Sequence, residues 1–261
     1  MNRCSIEKEL ISLSQRLGCP EKEMAIIGEG NTSALLGDGT YLLKASGFEL
    51  SSIDERGFVL MYLDKILKLL EKESISENEL KLYFQEAKVV PSDKRRPSVE
   101  ALLHAVCLSY EGITFVGHTH PVYINSLTCA TSFPENLQGR MYPDEIVLLG
   151  IDSVYVPYTD PGIPLAKELK QKIDTFIIEH KSIPKSIYLQ NHGFVAIGGS
   201  AKEVEHITLT AEKAARVRLG ACLAGGIHAL DRKTVTHIWG RPDEKYRQQI
   251  FTQVASEENN D

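Results

Sequence analysis

Apolar positions recur with helical spacing in several stretches of the chain. Residues 6–17 form the first stretch, and Gly18 directly after them is a typical helix-stopping residue. A further helix is expected after Ser98, a favourable N-cap, because the apolar residues between positions 103 and 110 then share one face. The same spacing predicts other helices over residues 59–70, 77–87, 164–180, 202–223 and 243–254.

Short apolar runs bounded by turn residues predict strands between these helices. The segment 34–43 is expected to form a hairpin that turns at Gly37-Asp38-Gly39. Similar runs predict strands over residues 113–116, 154–156, 186–189 and 194–197. Helices and strands therefore alternate along the chain, which is typical of an α/β protein.

No feature of the chain marks a boundary between domains, since no repeat, low-complexity linker or change in composition interrupts its 261 residues. We predict a single domain over residues 1–261, with a core over about residues 24–219 and a helical extension over residues 220–256. The segment 48–97 is mostly helical in pattern and ends in a charged loop. The polar tail at 257–261 is expected to fray.

Charge and composition exclude several classes of partner. The formal charge of −6 provides no general basic field for nucleic acid or anionic lipid, although a pocket can still be locally basic. No apolar run is long enough to span a bilayer, and the polar N-terminus lacks the apolar stretch of a signal peptide. Five scattered cysteines fit neither a disulfide framework nor a metal knuckle. We expect reduced thiols, a cytoplasmic location and a small-molecule partner.

Two histidines follow the predicted strand at 113–116, with one residue between them. Side chains alternate along a strand, so His118 and His120 lie on one face and can meet one metal ion. Hydrogen-bonded histidines at a strand end explain the same pattern, and a catalytic zinc ion requires three protein ligands. The pair alone therefore leaves both interpretations open.

A third histidine and a carboxylate strengthen the metal interpretation. His192 ends another predicted strand and is followed by glycine, while Glu100 lies near the start of the helix after Ser98. Each has an ordinary structural explanation by itself, such as a carboxylate at a helix start. Together the four side chains supply what a Lewis-acid site with an adjacent base requires.

Five short motifs resemble the class II aldolase/adducin family in their order and local context. The motifs are Gly28-Glu-Gly-Asn31-Thr-Ser, Lys44-Ala-Ser46-Gly47, Pro97-Ser98-Val-Glu100, Gly117-His118-Thr-His120-Pro and Leu189-Gln-Asn-His192-Gly193. The resemblance as a whole runs from about residue 24 to about residue 219. The resemblance implies an α/β class II aldolase-like fold, in which helices flank both faces of a central, largely antiparallel sheet.

The resemblance also implies roles for individual residues. His118, His120 and His192 match the three zinc ligands, one zinc per subunit, although another divalent metal remains open. Glu100 matches the glutamate that acts as acid and base next to the carbonyl carbon. Phosphate-binding positions match at Asn31, Lys44, Ser46, Gly47 and Ser98.

The family further implies a homotetramer in which a catalytic tyrosine reaches into the site of a neighbouring subunit. Tyr142 lies near the matching region, and Tyr246 is a second candidate close to the C-terminus. An aromatic residue at either place can instead serve packing or an interface.

Several departures from the family pattern leave the substrate open. Val99 stands where family aldolases often carry a second serine, and Lys44-Ala-Ser-Gly is closer to the epimerase version of that motif. The epimerase has an aspartate at the position of Glu100. The long 48–97 segment and Tyr142-Pro-Asp-Glu resemble the aldolase half of bifunctional rhamnulose-phosphate aldolase/dehydrogenases.

Three functions follow from these features. The first is a lyase that cleaves a ketose 1-phosphate to dihydroxyacetone phosphate and an aldehyde through a metal-stabilised enediolate. The second is a sugar-phosphate epimerase or decarboxylase of the same family. The third is a non-catalytic, adducin-like interaction module. A complete histidine triad argues against the third, and glutamate at position 100 favours the aldolase over the epimerase.

Overall fold

A seven-stranded sheet forms the centre of the computed structural model, which describes residues 2–253 except for the side chains at 248, 249 and 251–253. Its strands are β1 (Asn31–Leu35), β2 (Thr40–Lys44), β3 (Phe58–Tyr62), β4 (Phe115–Thr119), β5 (Val154–Val156), β6 (Ser186–Leu189) and β7 (Gly193–Gly198). They lie in the order β3-β2-β1-β4-β7-β6-β5. Every neighbouring pair is antiparallel except β5 with β6. The predicted largely antiparallel sheet is confirmed.

Ten α-helices surround the sheet within the described residues. They are α1 (Arg3–Leu17), α2 (Leu63–Leu67), α3 (Glu77–Glu86), α4 (Ala101–Leu108), α5 (Val122–Thr128), α6 (Pro143–Leu149), α7 (Ile163–His180), α8 (Ala201–Leu223), α9 (Arg232–Gly240) and α10 (Pro242–Gln253). None of these helices combines the length and the apolar character needed to cross a membrane.

Alternating side chains of the strands supply two separate apolar cores, one on each face of the sheet. In β7, Val195 and Ile197 join the core under α4 and α7, whereas Phe194 and Ala196 join the core under α1 and α8. The alternation follows from the strand geometry, which directs successive side chains to opposite faces. Both faces are therefore covered by helices, as predicted.

Most predicted elements are found close to their expected limits. The hairpin between β1 and β2 and the helices α1, α7 and α8 agree within a few residues. The last predicted helix is observed as α10, but residue 254 and the tail at 257–261 lie outside the described residues. The helices α9 and α10 pack on α6, and α10 also contacts α8.

The predicted helix over residues 59–70 is partly wrong. The segment begins as strand β3, the outer strand beside β2, and turns helical only from Leu63. Val59 and Met61 enter one core and Leu60 enters the other, so every side chain in the middle of the strand is apolar. A strand buried on both faces has no polar alternation, and periodicity does not distinguish it from a helix.

The expected N-cap at Ser98 is also corrected. Helix α4 begins at Ala101, and Glu100 occupies the N-cap position. The Ser98 hydroxyl oxygen instead accepts a hydrogen bond from the Glu100 backbone N–H at 3.2 Å. Ser98 therefore organises the turn before the helix. Three short helices, α5, α6 and α9, were not predicted, because each offers only seven to nine residues of pattern.

Candidate metal centre and active site

His118 projects from β4 toward α4, on the sheet face opposite to α8. Its side chain is fully buried, and Nδ1 lies 3.0 Å from the backbone oxygen of Phe194. Because a carbonyl oxygen only accepts, Nδ1 carries the proton and Nε2 presents a lone pair. Burial lowers the pKa of His118. The ring is thus a neutral imidazole with a free lone pair on Nε2, the form that binds a metal ion.

The nitrogens of the other two histidines form a triangle with His118 Nε2. His120 directly follows β4, and His192 lies in the turn that joins β6 to β7. The Nε2 atoms of His118 and His120 are 3.1 Å apart, and the potential ligand atoms of all three lie within 4.8 Å of one another. Burial, together with the neighbouring imidazoles His118 and His192, lowers the pKa of His120 to about 3.

Gly193 allows this close approach of two chain segments. A Cβ atom at this position would lie 2.6 Å from both His120 Cδ2 and the Thr119 backbone oxygen. No side chain fits in that space, so a residue other than glycine would push the turn carrying His192 away from β4.

Glu100 faces the histidines from the start of α4. Its Oε1 lies 3.1 Å from His192 Nε2, and its Oε2 lies 3.4 Å from His118 Nε2. Burial raises the pKa of this carboxyl, but His118, His192 and a hydrogen bond from Asn31 outweigh burial and hold the pKa well below its usual value. Glu100 is therefore an ionised carboxylate directed at His118 and His192.

These donors fit a divalent metal ion. Glu100 Oε1 is buried and makes no well-formed hydrogen bond within the described residues, although it lies beside His192 Nε2. A carboxylate oxygen and the imidazole lone pairs all seek a positive partner, which a cation among them would supply. Three nitrogens with one carboxylate nearby correspond to a site with three protein ligands and an open position.

Two of the predicted phosphate-binding residues lie next to Glu100. Asn31 Nδ2 donates to Glu100 Oε2 at 2.7 Å and to Ser98 Oγ at 3.1 Å, and both side chains are nearly buried. The amide of Asn31 thus already has protein partners on its donor side. Ser98 keeps its hydroxyl proton available for a further acceptor.

The other three predicted phosphate-binding residues lie at the end of β2 and in the loop that follows it. Lys44 is buried, has no carboxylate within ion-pair distance in the described part of the chain, and contacts the Gly28 backbone oxygen at 3.5 Å. Burial lowers its pKa, and Glu100 opposes that shift. Ser46 Oγ donates to the Pro97 oxygen at 3.1 Å, and Gly47 adopts φ 88°. The structure therefore places all five residues around Glu100 and the segment 97–99 that precedes it.

Tyr142 is not brought to this cluster within one chain. No hydrogen bond, ion pair or ring contact of the described residues joins it to the three histidines or to Glu100. It precedes α6, where the Lys213 ammonium lies 5.5 Å from its ring centroid. Its hydroxyl oxygen is enclosed without a hydrogen-bond partner among the described residues, and burial raises its pKa to about 12. Tyr246 on α10 is exposed.

His104 and Ser33 were missed by the sequence analysis. His104 is fully buried on α4, where Nδ1 lies 2.6 Å from Ser33 Oγ and Nε2 contacts Asn31 Oδ1. Burial lowers the pKa of His104 to about 3, so the ring is neutral. Its position one helical turn after Glu100 was the available signal, because residues four apart share a helix face.

The fold and the histidine cluster define the class of protein, an α/β protein of the class II aldolase type that can hold a metal ion. The sequence model described as "Class II Aldolase and Adducin N-terminal domain" matches residues 8–219. The chain therefore belongs to the class II aldolase and adducin family.

Known proteins resemble the chain over most of its length. The N-terminal class II aldolase domain of a conserved Thermoplasma acidophilum protein is 28% identical, with a TM-score of 0.65 over 82% of this chain and 93% of that chain. An L-fuculose 1-phosphate aldolase is 19% identical, with a TM-score of 0.69 over 95% of this chain and 98% of that chain. At the latter identity the likeness shows the fold alone.

One curated relative extends far beyond the matching region. The uncharacterized oxidoreductase YuxG of Bacillus subtilis is 26% identical over 211 residues, which cover 78% of this chain and 28% of YuxG. The chain thus spans little more than a quarter of the length of that relative.

Proposed function

We propose that this protein is a metal-dependent lyase that cleaves a ketose 1-phosphate into dihydroxyacetone phosphate and an aldehyde. The observation that carries the proposal is the contact of Glu100 with His118 and His192, 3.4 and 3.1 Å away, inside a cluster that can hold a metal ion. An acid/base carboxylate beside a Lewis-acid site is the combination that carbon–carbon cleavage next to a carbonyl requires.

His118, His120 and His192 are the proposed metal ligands. When bound, a divalent metal supplies a Lewis acid that polarises the substrate carbonyl and stabilises the negative charge left by bond cleavage. We propose zinc, because three imidazole nitrogens with one open position suit that ion, and one ion per chain fits the one cluster found in the described residues.

Glu100 is the proposed proton carrier. Its carboxylate lies next to the metal ligands, so substrate carbon bound there would be within reach of Oε1. The proton moves between this carboxylate and the carbon next to the carbonyl. Asn31 orients the carboxylate through Oε2, which leaves Oε1 directed at the cluster.

Ser98, Ser46, Gly47 and Lys44 are proposed to hold the substrate phosphate, with Asn31 acting through Ser98 and Glu100. The loop after β2 lies beside residues 97 and 98, because Ser98 N–H donates to the Lys44 oxygen at 3.2 Å. Hydroxyl groups and backbone amides near glycine can form an anion-binding nest, and the buried Lys44 supplies a positive charge. Fixing the phosphate positions the reacting carbons near Glu100.

We further propose that the enzyme is a homotetramer in which Tyr142 supplies a second acid across a subunit boundary. In the single chain the hydroxyl of Tyr142 is enclosed, so this role requires rotation of its side chain on assembly. Tyr246 is exposed and is the second candidate for the same role.

A sugar-phosphate epimerase or decarboxylase is the second candidate function. The buried Lys44 in Lys44-Ala-Ser-Gly favours it, because the epimerase motif carries lysine at this position. Glu100 favours cleavage, since the epimerase has the shorter aspartate there.

The test is product formation from a panel of ketose 1-phosphates. Zinc-loaded protein is incubated with each compound, and dihydroxyacetone phosphate is assayed in a coupled reaction. The Glu100→Gln variant gives the background rate. Release of dihydroxyacetone phosphate by the wild-type protein alone supports the aldolase. Conversion of a sugar phosphate to its epimer, or loss of carbon dioxide, without release of dihydroxyacetone phosphate would contradict the aldolase proposal and support the second candidate.

A further inference from the structure

A cavity lies beside the loop that carries Ser46, and none of the three histidines lines it. It is formed by α3 and residues 94–99 and has a volume of about 570 Å³. Pockets for small organic ligands are commonly about 300–1,000 Å³ in size. The cavity is therefore large enough for an organic molecule and not only for a simple ion.

The polar residues of this cavity are mainly cationic. Lys81, Lys88, Lys94 and Arg96 line it, and Glu77 is the acidic residue among the lining residues. Glu77 lies 3.7 Å from Lys81, which leaves three cations without an acidic partner in the cavity. The whole chain carries a net charge of −6, so this local excess of positive charge does not follow from a basic composition.

In the loop from 93 to 96, Arg95 has an acidic partner, whereas Lys94 and Arg96 have none among the described residues. Arg95 binds the Asp93 carboxylate at 2.5 Å, and neither residue lines the cavity. Lys94 and Arg96 line the cavity, and in the part of the chain that the structure describes their side chains make no hydrogen bond or ion pair. Among the described residues, the intervening Arg95 thus has an acidic partner and its two neighbours have none.

Lys88 is the most informative of these residues because it is only 5% exposed. Its ammonium donates to Gln85 Oε1 and to the Asp93 backbone oxygen, each at 2.8 Å, and both acceptors are neutral. No carboxylate of the described residues lies within ion-pair distance of it. The Asp93 carboxylate attracts the Lys88 ammonium from beyond ion-pair distance. Two of the three ammonium donors are used by neutral acceptors, so a bound anion would satisfy the third at close range.

The cavity also has an apolar wall. Leu80, Phe84, Pro97 and Val99 line it, and Val99 is 62% exposed. An exposed apolar residue next to cations suits a ligand that has an apolar body and an anionic group. A free inorganic anion would leave this wall in contact with water.

We propose that this cavity binds an organic phosphate, with its phosphate group toward Lys88, Lys94 and Arg96 and its apolar body against Phe84 and Val99. Multiply charged phosphate oxygens suit a group of lysine and arginine donors. Because Ser46 belongs both to this cavity and to the loop after β2, the bound molecule lies next to that loop. The inference concerns binding alone and stands whether or not the protein is an aldolase.

The test is titration calorimetry of the full chain with 2-naphthyl phosphate. We expect saturable binding that weakens as salt is added, because exposed charges contribute. Arg96→Gln and Lys88→Met should each weaken binding about tenfold or more, since each removes a charged donor from the phosphate. Arg3→Gln changes the net charge equally at an exposed position on α1 and should bind as the wild type does.

Comparison ligands and a second variant make the outcome decisive. Inorganic phosphate and 2-naphthol should each bind more weakly than 2-naphthyl phosphate, because each lacks one half of the proposed contacts. Ser98→Ala, in the proposed substrate-phosphate loop, should retain the affinity of the wild type. The folding of Lys88→Met is checked by circular dichroism. If Lys88→Met unfolds, the affinity of Arg96→Gln, which changes an exposed residue, tests the proposal. Equal binding of 2-naphthol, or wild-type affinity in Arg96→Gln, would overturn the proposal.

Discussion

The side-chain amide of Asn31 donates a hydrogen bond of 2.7 Å to the Glu100 carboxylate. Asn31 starts β1 directly opposite His118 on β4, so one residue of the sheet orients the carboxylate beside the histidine cluster. The Oδ1 atom of Asn31 accepts from His104 Nε2, which fixes the orientation of the amide. Asn31, which the sequence predicts as a phosphate-binding residue, is therefore the residue that directs Glu100.

Asn31→Asp should disturb Glu100 directly. The substitution replaces the donor by a second carboxylate at about the same place, and two neighbouring carboxylates raise the pKa of one of them. We expect the acid limb of the pH–rate profile to move to higher pH and the rate at neutral pH to fall by about tenfold. Asn136→Asp, whose amide donates to the Leu127 oxygen elsewhere, is the matched control. An unchanged pH profile in Asn31→Asp would show that this hydrogen bond does not orient the reacting group.

His104 should make the folded protein sensitive to acid. Burial lowers its folded pKa to about 3, whereas an unfolded histidine titrates at about 6.5. Between these values the unfolded chain binds a proton that the folded chain excludes. The contribution of His104 is therefore fully present above pH 6.5 and is lost as the pH falls toward 3, by up to about 1.4 kcal/mol per pH unit.

The measurement compares urea unfolding of wild type and His104→Gln from pH 7 to pH 4. The variant should be less stable at pH 7, because it loses the contacts with Ser33 and Asn31. Its free energy of unfolding should nevertheless decline less steeply with falling pH than that of the wild type. His228→Gln, at an exposed position outside this network, is the control. Parallel curves for His104→Gln and wild type would contradict the prediction.

The sequence predicts the metal cluster better than the network that supports it. His118 and His120 are two apart at a strand end, and that spacing alone places them on one face. His192 comes from another predicted strand end, which makes it a candidate ligand, and the resemblance to the family then matches it to the third ligand. The contact of His104 with Asn31 depends on how α4 packs against the sheet, and periodicity does not specify that packing.

The fold shows the same division between local pattern and packing. Hairpin β1–β2 and the long helices have strong local signals in turn residues and in spacing. The spacing of apolar residues does not distinguish strand β3 from a helix, because both faces of the strand are buried. The pairing with β2 and the packing into two cores decide its conformation. The position of Tyr142 relative to any site is likewise a matter of packing and assembly, beyond what a local pattern specifies.

His192→Ala should remove most of the metal. The purified wild type is expected to contain close to one zinc per chain, measured by inductively coupled plasma mass spectrometry. Loss of one of three ligands leaves two, which is too few for a stable catalytic zinc site. The variant should stay folded, because two apolar cores hold the domain independently of the metal. Full zinc occupancy in His192→Ala would remove this residue from the site, and His228→Ala provides the comparison at an exposed histidine.

Glu100→Gln should separate metal binding from proton transfer. Glutamine has nearly the same shape but cannot exchange a proton, so zinc should remain bound while turnover falls by about a hundredfold or more. The amide of Asn31 still finds an oxygen acceptor if the glutamine carbonyl takes the place of Oε2. Near-normal turnover in this variant would assign the proton transfer to another group or to water.

Light scattering under assay conditions should report a tetramer. An isolated chain keeps Tyr142 away from the histidine cluster, since no contact of the described residues joins them, and it would lack the second acid. A fully active monomer would end the proposal that the site is shared between subunits.

Mixed assemblies of two inactive variants test the shared site most directly. Glu100→Gln and Tyr142→Phe are dissociated, mixed and reassembled, and each variant reassembled alone is the control. If Tyr142 acts across a boundary, some boundaries in the mixture pair an intact Glu100 with an intact Tyr142, and part of the activity returns. If both residues act within one chain, every site keeps a defect and the mixture stays inactive. Activity returning with Tyr246→Phe in place of Tyr142→Phe, while Tyr142→Phe alone remains active, would transfer the role to the exposed tyrosine on α10.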